Sequence, residues 1–336
     1  MRYPPPRVSD SDLRPPRAVV LLGAQRFDPT LGDAVAELGI EGPIATITAG
    51  WQEREGEDQE LHEHLDKRTV NLRLHRRADD VFKRDPELHQ AHRKKQEALR
   101  HKQDFYRIRL EHALAASHVI RQRKAPDAIL EEEMSASLAA VKLLDEYHLV
   151  QCARVHAEFE AENHPLEREV VAKHRAEIAE ILRTAGGIAI AGGHVASLMN
   201  RMRLFGIESM IDGHAVLAWS AGAMAVSDRV VLFHDSPPQG PGASEVLDRG
   251  LGLAPGVVTL PQPETRLRWD DAERVTTMTR RFAPAICLAL PARARITYRD
   301  GRYTSPSGVI RLCEDGTRNE VVATADPNGL LRPAPT

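Results

Sequence analysis

Val216-Leu217-Ala218-Trp219-Ser220-Ala221-Gly222-Ala223-Met224-Ala225 is an apolar run of strand length that reaches a serine among small residues and continues into good helix formers. The pattern predicts a buried strand, a sharp turn at Ser220 and a helix. Such a turn lifts the hydroxyl clear of the sheet's C-terminal edge, and the helix aims its first N–H groups and positive dipole end at the same point. Ala218 and Gly222, two before and two after the serine, let strand and helix approach. The same small residues also suit an ordinary packing contact, so this stretch alone leaves nucleophile and packing contact both open.

Immediately upstream, Ile188-Ala189-Ile190-Ala191-Gly192-Gly193-His194 reads as another strand with a glycine loop, followed by a helix over Val195 to Leu204 with Val195, Leu198, Met199 and Met202 on one stripe. Its loop places backbone N–H groups at the sheet's C-terminal edge, and its strand is expected beside the Ser220 strand. Further back, Ala18 to Gly23 and Ile44 to Gly50 read as buried strands separated by a helix near Leu31 to Leu38, and Thr69 to His75 alternates like a strand nearer the sheet edge. Strands alternating with helices indicate a parallel, doubly wound α/β sheet.

Between Asp79 and Ala185 the rhythm breaks into long runs of Glu, Lys, Arg, Ala, Leu and His, divided into three helices by Pro126 and Pro165. Lys83 to Lys124 carries 12 Lys or Arg against 5 Asp or Glu, whereas Asp127 to Glu180 carries 5 against 13. The asymmetry suits an antiparallel hairpin that complements its own charge; the alternative is that the basic helix, with His89, His92, His101, His112 and His118, contacts an acidic partner or nucleic acid. His62 with His64, and His89 with His92, are the histidine pairs with metal-ligand spacing, but no third ligand shares their register, so no metal is expected. Downstream, Val230 to Phe233, Val257 to Leu260, Ile286 to Leu290, Ala294 to Tyr298 and Gly308 to Leu312 read as strands, Asp270 to Arg281 as a helix and Asp300-Gly301 as a hairpin turn.

The chain of 336 residues is 42% hydrophobic and carries a net charge of −3, enough apolar residues for a real core and no electrostatic case for nucleic acid or membrane. Three distant cysteines without CxxC spacing argue against disulfides and zinc, so a cytoplasmic setting is expected. Residues 1–17 and 324–336, rich in Pro and without an apolar run, read as structureless tails. The resulting division is 18–78 and 186–323 as two parts of one α/β domain, with 79–185 as a helical insertion.

Ala191-Gly192-Gly193-His194, then Ala218 to Ala223, then Gly250-Leu251-Gly252-Leu253 with Pro255-Gly256 together resemble the peptidase E and cyanophycinase family of serine peptidases. The resemblance is good over 186–312 and weak over 18–75. It implies a three-layer α/β/α sandwich of the class I glutamine amidotransferase-like, flavodoxin-like kind with a mostly parallel sheet. It also implies covalent catalysis by Ser220, oxyanion donors around Gly192, Gly193 and Ala221, a triad acid at Asp235 and a retained Arg266. No cofactor is implied. The family's triad histidine falls at Gln262 in this chain, and an amide side chain cannot act as a general base at neutral pH. The family's Gly-Gly loop usually continues with Asn or Asp, whereas His194 follows here. Three outcomes stay open: His194 or His234 supplies the base, the pocket binds without hydrolysis, or a shifted register brings in Glu264. The expected ligand is a small peptide or other amide, with the helical insertion as a surface for a protein partner or self-association.

Overall fold

The computed structural model describes residues 16–233 and 242–322. His234 and Asp235 lie outside the described residues, as do nearly all of the two predicted tails. Strand β1 (Ala18–Leu22) leads through α1 (Leu31–Glu37), β2 (Ile44–Ile47), α2 (Gln59–His64) and β3 (Thr69–Asn71) into four helices, α3 (Leu74–Arg84), α4 (Pro86–Arg121), α5 (Asp127–Asn163) and α6 (Glu169–Thr184). There follow β4 (Gly187–Ile190), α7 (Val195–Leu204), β5 (Ala215–Trp219), α8 (Ala221–Val226), β6 (Arg229–Leu232), β7 (Glu245–Arg249), β8 (Val257–Pro261), α9 (Pro263–Arg266) and α10 (Ala272–Phe282). The chain closes with β9 (Ile286–Leu290), β10 (Arg295–Arg299), β11 (Arg302–Ser307), β12 (Ile310–Leu312) and β13 (Arg318–Glu320).

The fold is α/β with a mixed central sheet in the order β11-β10-β1-β5-β4-β2-β3. Strands β1, β5, β4, β2 and β3 run parallel, and β10 and β11 extend the sheet antiparallel from β1. Alternation along these strands feeds two separate cores. Val19, Leu21, Ile47, Ile190 and Val216 face a large cluster with the helices from α3 to α8, while Val20, Leu22, Ala189 and Leu217 face Leu31, Val35 and Leu38 around α1. Sheets buried on both faces draw continuous apolar strands, as β1 and β5 show. A second sheet, β13-β12-β9-β8, and the β6–β7 pair complete the body.

Several elements differ from the sequence reading. Beyond Asn71 the expected edge strand gives way to α3, whose start is set from outside: the Glu55 carboxylate accepts the N–H groups of His75 and Arg76 at 2.9 and 3.0 Å. The helical stretch therefore begins at Leu74 rather than Asp79 and holds four helices, because Asp85 caps α4 through Leu88 N–H at 2.9 Å with Pro86 in its first turn. Strands β7, β11 and β13 have no counterpart in the sequence reading. Pro306 in β11 is tolerated because that strand is at the sheet edge.

Helices α4 and α5, of 36 and 37 residues, form the expected antiparallel hairpin. Its charges work differently from expectation: no Lys or Arg of α4 pairs with a carboxylate of α5 among the described residues. They reach the body instead, Arg107 to Glu245, Arg121 to Glu273 and Glu146 to Arg229. At the centre, Arg281 of α10 donates through Nε and Nη2 to Asp145 of α5, at 2.7 Å each, and through Nη2 to the Tyr106 hydroxyl of α4 at 2.8 Å. Its Nη1 donates to the Ser244 carbonyl at 2.7 Å, the Tyr106 hydroxyl donates to Asp145 and accepts Val246 N–H, and His148 stacks on the Tyr106 ring at 4.2 Å. The cluster is almost wholly buried and clamps the hairpin to α10 and β7.

Candidate active site

Strands β4 and β5 pair in parallel, Ile190 opposite Ala218, so their C-terminal loops emerge side by side. The chain then turns from β5 into α8 through Ser220 at φ 52° and ψ −121°, a conformation that costs a non-glycine residue about 1–3 kcal/mol. Close approach makes this turn possible. A methyl group on Gly222 would lie 2.2 Å from the Ile190 carbonyl oxygen, so only glycine lets α8 sit down on β4. A methyl group on Gly192 would lie 2.7 Å from the Ser220 Cβ and 3.4 Å from its Oγ, which places the glycine loop against the serine. The Gly193 and Ala221 N–H groups have no acceptor among the described residues, and neither does the Ser220 hydroxyl have a hydrogen-bond partner there.

The glycine loop is itself held by a neighbour that the sequence reading missed. His194 N–H donates to the Gly50 carbonyl at 2.7 Å, and Gln52 beyond it adopts φ 58° and ψ −125°, nearly the Ser220 conformation. Gln52 Nε2 donates to Ser197 Oγ at 2.8 Å. Nothing in Gly50-Trp51-Gln52 signals this, because glutamine has no intrinsic preference for positive φ and contacts from α7 and the Gly192-Gly193 loop hold it. Thr48, Asn71 and Asp58 lock the same loop: Asn71 Nδ2 donates to Thr48 Oγ1 at 2.8 Å and to Asp58 Oδ2 at 2.9 Å. Buried Glu55 has its pKa raised by desolvation, against which the two α3 N–H bonds work.

His194 is the N-cap of α7: its Nδ1 accepts the Ser197 N–H at 3.1 Å. A backbone N–H can only donate, so the lone pair of Nδ1 is occupied and a neutral His194 carries its proton on Nε2. In that tautomer neither nitrogen is free to take a proton from Ser220. The ring is exposed and lines a cavity of about 700 Å3 between α3, α4 and α7, with Phe82, His89, His92, Ser197 and Arg201. His92 is pushed down to about 3, by burial first and then by the charges of Lys95 and Arg201, so its neutral ring bonds Asn200 Oδ1 at 3.1 Å.

Gln262 follows β8 in a left-handed conformation, φ 54° and ψ 51°, and caps α9; no hydrogen bond joins it to Ser220. Arg266 is half-buried at the end of α9 with no side-chain partner among the described residues, and burial lowers its pKa. Glu264 is exposed on the same turn. The histidine pairs are spent on other contacts: His62 Nδ1 meets Thr69 Oγ1 at 2.6 Å, His64 Nε2 accepts Gly32 N–H at 3.2 Å, and His89 stacks on Phe82 at 4.9 Å. All three cysteines are free thiols. Among the described residues no helix is long and apolar enough to cross a membrane.

No protein-family model matches the chain, and no curated protein matches it. Among solved structures, a peptidase from an acI-B1 Actinobacterium is similar at 13% identity and a TM-score of 0.45, covering 90% of this chain and 92% of that one. A putative Peptidase E protein from Listeria monocytogenes EGD-e is similar at 18% identity and a TM-score of 0.28, covering 41% of this chain and 65% of that one.

Proposed function

We propose that the chain is a serine hydrolase of the peptidase E and cyanophycinase type that cleaves a peptide or isopeptide-like amide through an acyl-Ser220 intermediate. The observation that carries this reading is the strained turn at Ser220, packed against Gly192, with the Gly193 and Ala221 N–H groups open beside it. A strained non-glycine residue between strand and helix is the mark of an exposed nucleophile. Open backbone donors are what a developing oxyanion needs. With it goes the reading of the fold as a three-layer α/β/α sandwich of the class I glutamine amidotransferase-like kind, in which the helices from Leu74 to Thr184 are an insertion and the part from Gly187 onward carries the elbow.

His234 is the base in this proposal. His194 has its lone pair on the α7 cap, and Gln262 cannot accept a proton at neutral pH. His234 with Asp235, directly after β6 in the chain, is the pair that the sequence leaves for the role. Arg266, without a protein partner among the described residues, is the group to hold a substrate carboxylate.

A second reading has its own support. The Ser220 hydroxyl makes no hydrogen bond among the described residues, as in a cleft that binds an amide ligand without cleaving it. Fluorophosphonate labelling of the full chain, read by intact mass, separates the two. The hydrolase reading expects one label per chain, lost in Ser220→Ala, slowed about 1,000-fold in His234→Ala and little changed in His194→Ala. Absence of labelling in the unaltered protein would leave the binding reading.

A further inference from the structure

Helix α5 carries apolar residues on both faces. Val141, Leu149 and Cys152 turn inward, whereas Ile129, Ala136, Leu143 and Val150 follow one another at seven-residue steps on the outside, with Ala140 and Tyr147 four residues after Ala136 and Leu143. All six are exposed, Leu143 at 72%. Helix α4 repeats the arrangement: Tyr106 and Leu110 are buried, while Phe105, His112 and Val119 step by seven on the outside, with Ile108 and Ala115 three residues after the first two. Phe105 is 63% exposed. The Arg109 guanidinium stands 5.1 Å from the centre of the Tyr147 ring, so the two outward seams lie side by side across the hairpin. A seven-residue apolar repeat is the seam by which one helix packs knobs-into-holes on another.

We propose that this face binds the same face of a second copy of the chain, giving a four-helix bundle whose two-fold axis runs along the helices. Charge chooses both the occupant and the axis. Helix α4 carries eight Lys or Arg against four Asp or Glu, and α5 carries two against nine. Arg107, Arg121, Asp145 and Glu146 are spent on the body of the same chain, whereas Arg109, Arg123, Lys124 and Glu131 to Glu133 have no ion pair among the described residues. An axis across the helices sets α4 on α4 and α5 on α5, like on like. An axis along them sets basic α4 antiparallel on acidic α5 in both halves, and brings Glu131, Glu132 and Glu133 beside the Arg123 and Lys124 end of the other copy.

The face is large enough. Each helix is about 10 Å wide, and the seam runs for about 30 Å on α5 and about 20 Å on α4, so about 500 Å2 per chain and about 1,000 Å2 in total are covered, the size of a weak, reversible dimer. The alanines at 115, 136 and 140 let the partner helices approach. The inference stands independently of the hydrolase reading.

Sedimentation velocity of the full chain up to about 100 µM tests it. A dimer is expected, with dissociation raised at least about 100-fold by Phe105→Glu with Leu143→Glu and a clear weakening by salt. These side chains are exposed, so circular dichroism and thermal unfolding of the variant should match the parent. Mixing Val119→Cys with Ile129→Cys chains should give a mixed disulfide dimer under oxidation, faster than either variant alone. A monomer at the highest concentration, or a dimer indifferent to the paired glutamates, overturns the proposal and gives the face to another protein. Preferred self-linking of either cysteine variant overturns the axis.

Discussion

Arg281 and Ser220 are both polar groups in apolar surroundings, and they are treated in opposite ways. Around Arg281 every nitrogen of the guanidinium has an acceptor, and Asp145 and Tyr106 are saturated in turn. Around Ser220 the hydroxyl and two neighbouring N–H groups are left open among the described residues, and the backbone is held in a conformation that costs energy. The physical difference is access. A charge removed from water must find its partners within the protein, or folding carries the whole desolvation penalty. A half-exposed hydroxyl can keep its hydrogen-bonding capacity for a ligand. Open donors and backbone strain in an otherwise satisfied structure therefore mark the place where another molecule is expected.

The largest effect should come from breaking the satisfied side. Asp145→Ala leaves Arg281 buried without its counter-charge, and urea denaturation should show a loss of about 3–5 kcal/mol. A loss below about 1 kcal/mol would mean that the cluster does not clamp the hairpin. Lys95 offers an intermediate case, since its ammonium is buried over the Phe159 ring at 4.0 Å and is pushed down to about 8 by burial and then by Arg203. In the unfolded chain the amine binds its proton up to about 10.4, so between these values the unfolded state holds more protons and stability rises with pH. Lys95→Met should accordingly stabilise the protein at pH 7 by about 3 kcal/mol and flatten the rise between about pH 8 and 10. An unchanged slope would show that the amine is hydrated. The smallest effect belongs to the open side. Ser220→Gly relieves the positive φ and should raise stability by about 1 kcal/mol while abolishing probe labelling. A clear destabilisation would mean that the hydroxyl has a structural partner after all.

Legibility followed the range of the interactions. The elbow, the Gly192-Gly193 loop and their adjacency were readable because an apolar run, a serine and closely placed small residues act within about ten residues of chain. The α3 start was misread because its cap is the Glu55 carboxylate, 20 residues upstream. Gln52 was missed because its backbone is held by contacts with α7 and the glycine loop, more than 100 residues away. His194 was legible as a histidine near the site, but its lone pair is used by the α7 cap, a matter of side-chain direction. The hairpin's charge asymmetry was plain in composition, yet its use against β7 and α10 depended on where the body placed Glu245, Glu273 and Arg281.

By itself, then, the chain's order of residues determined an α/β core, a long helical hairpin and a serine on a sharp turn, since period, small residues and prolines act locally. Tertiary structure alone decided which polar groups are satisfied and which stay open. That decision depends on desolvation and on directed hydrogen bonds between residues far apart in the chain. Among the described residues it leaves Ser220, Gly193 and Ala221 open, while the Arg281 charge on α10, held by groups from α4, α5 and the residue before β7, is closed.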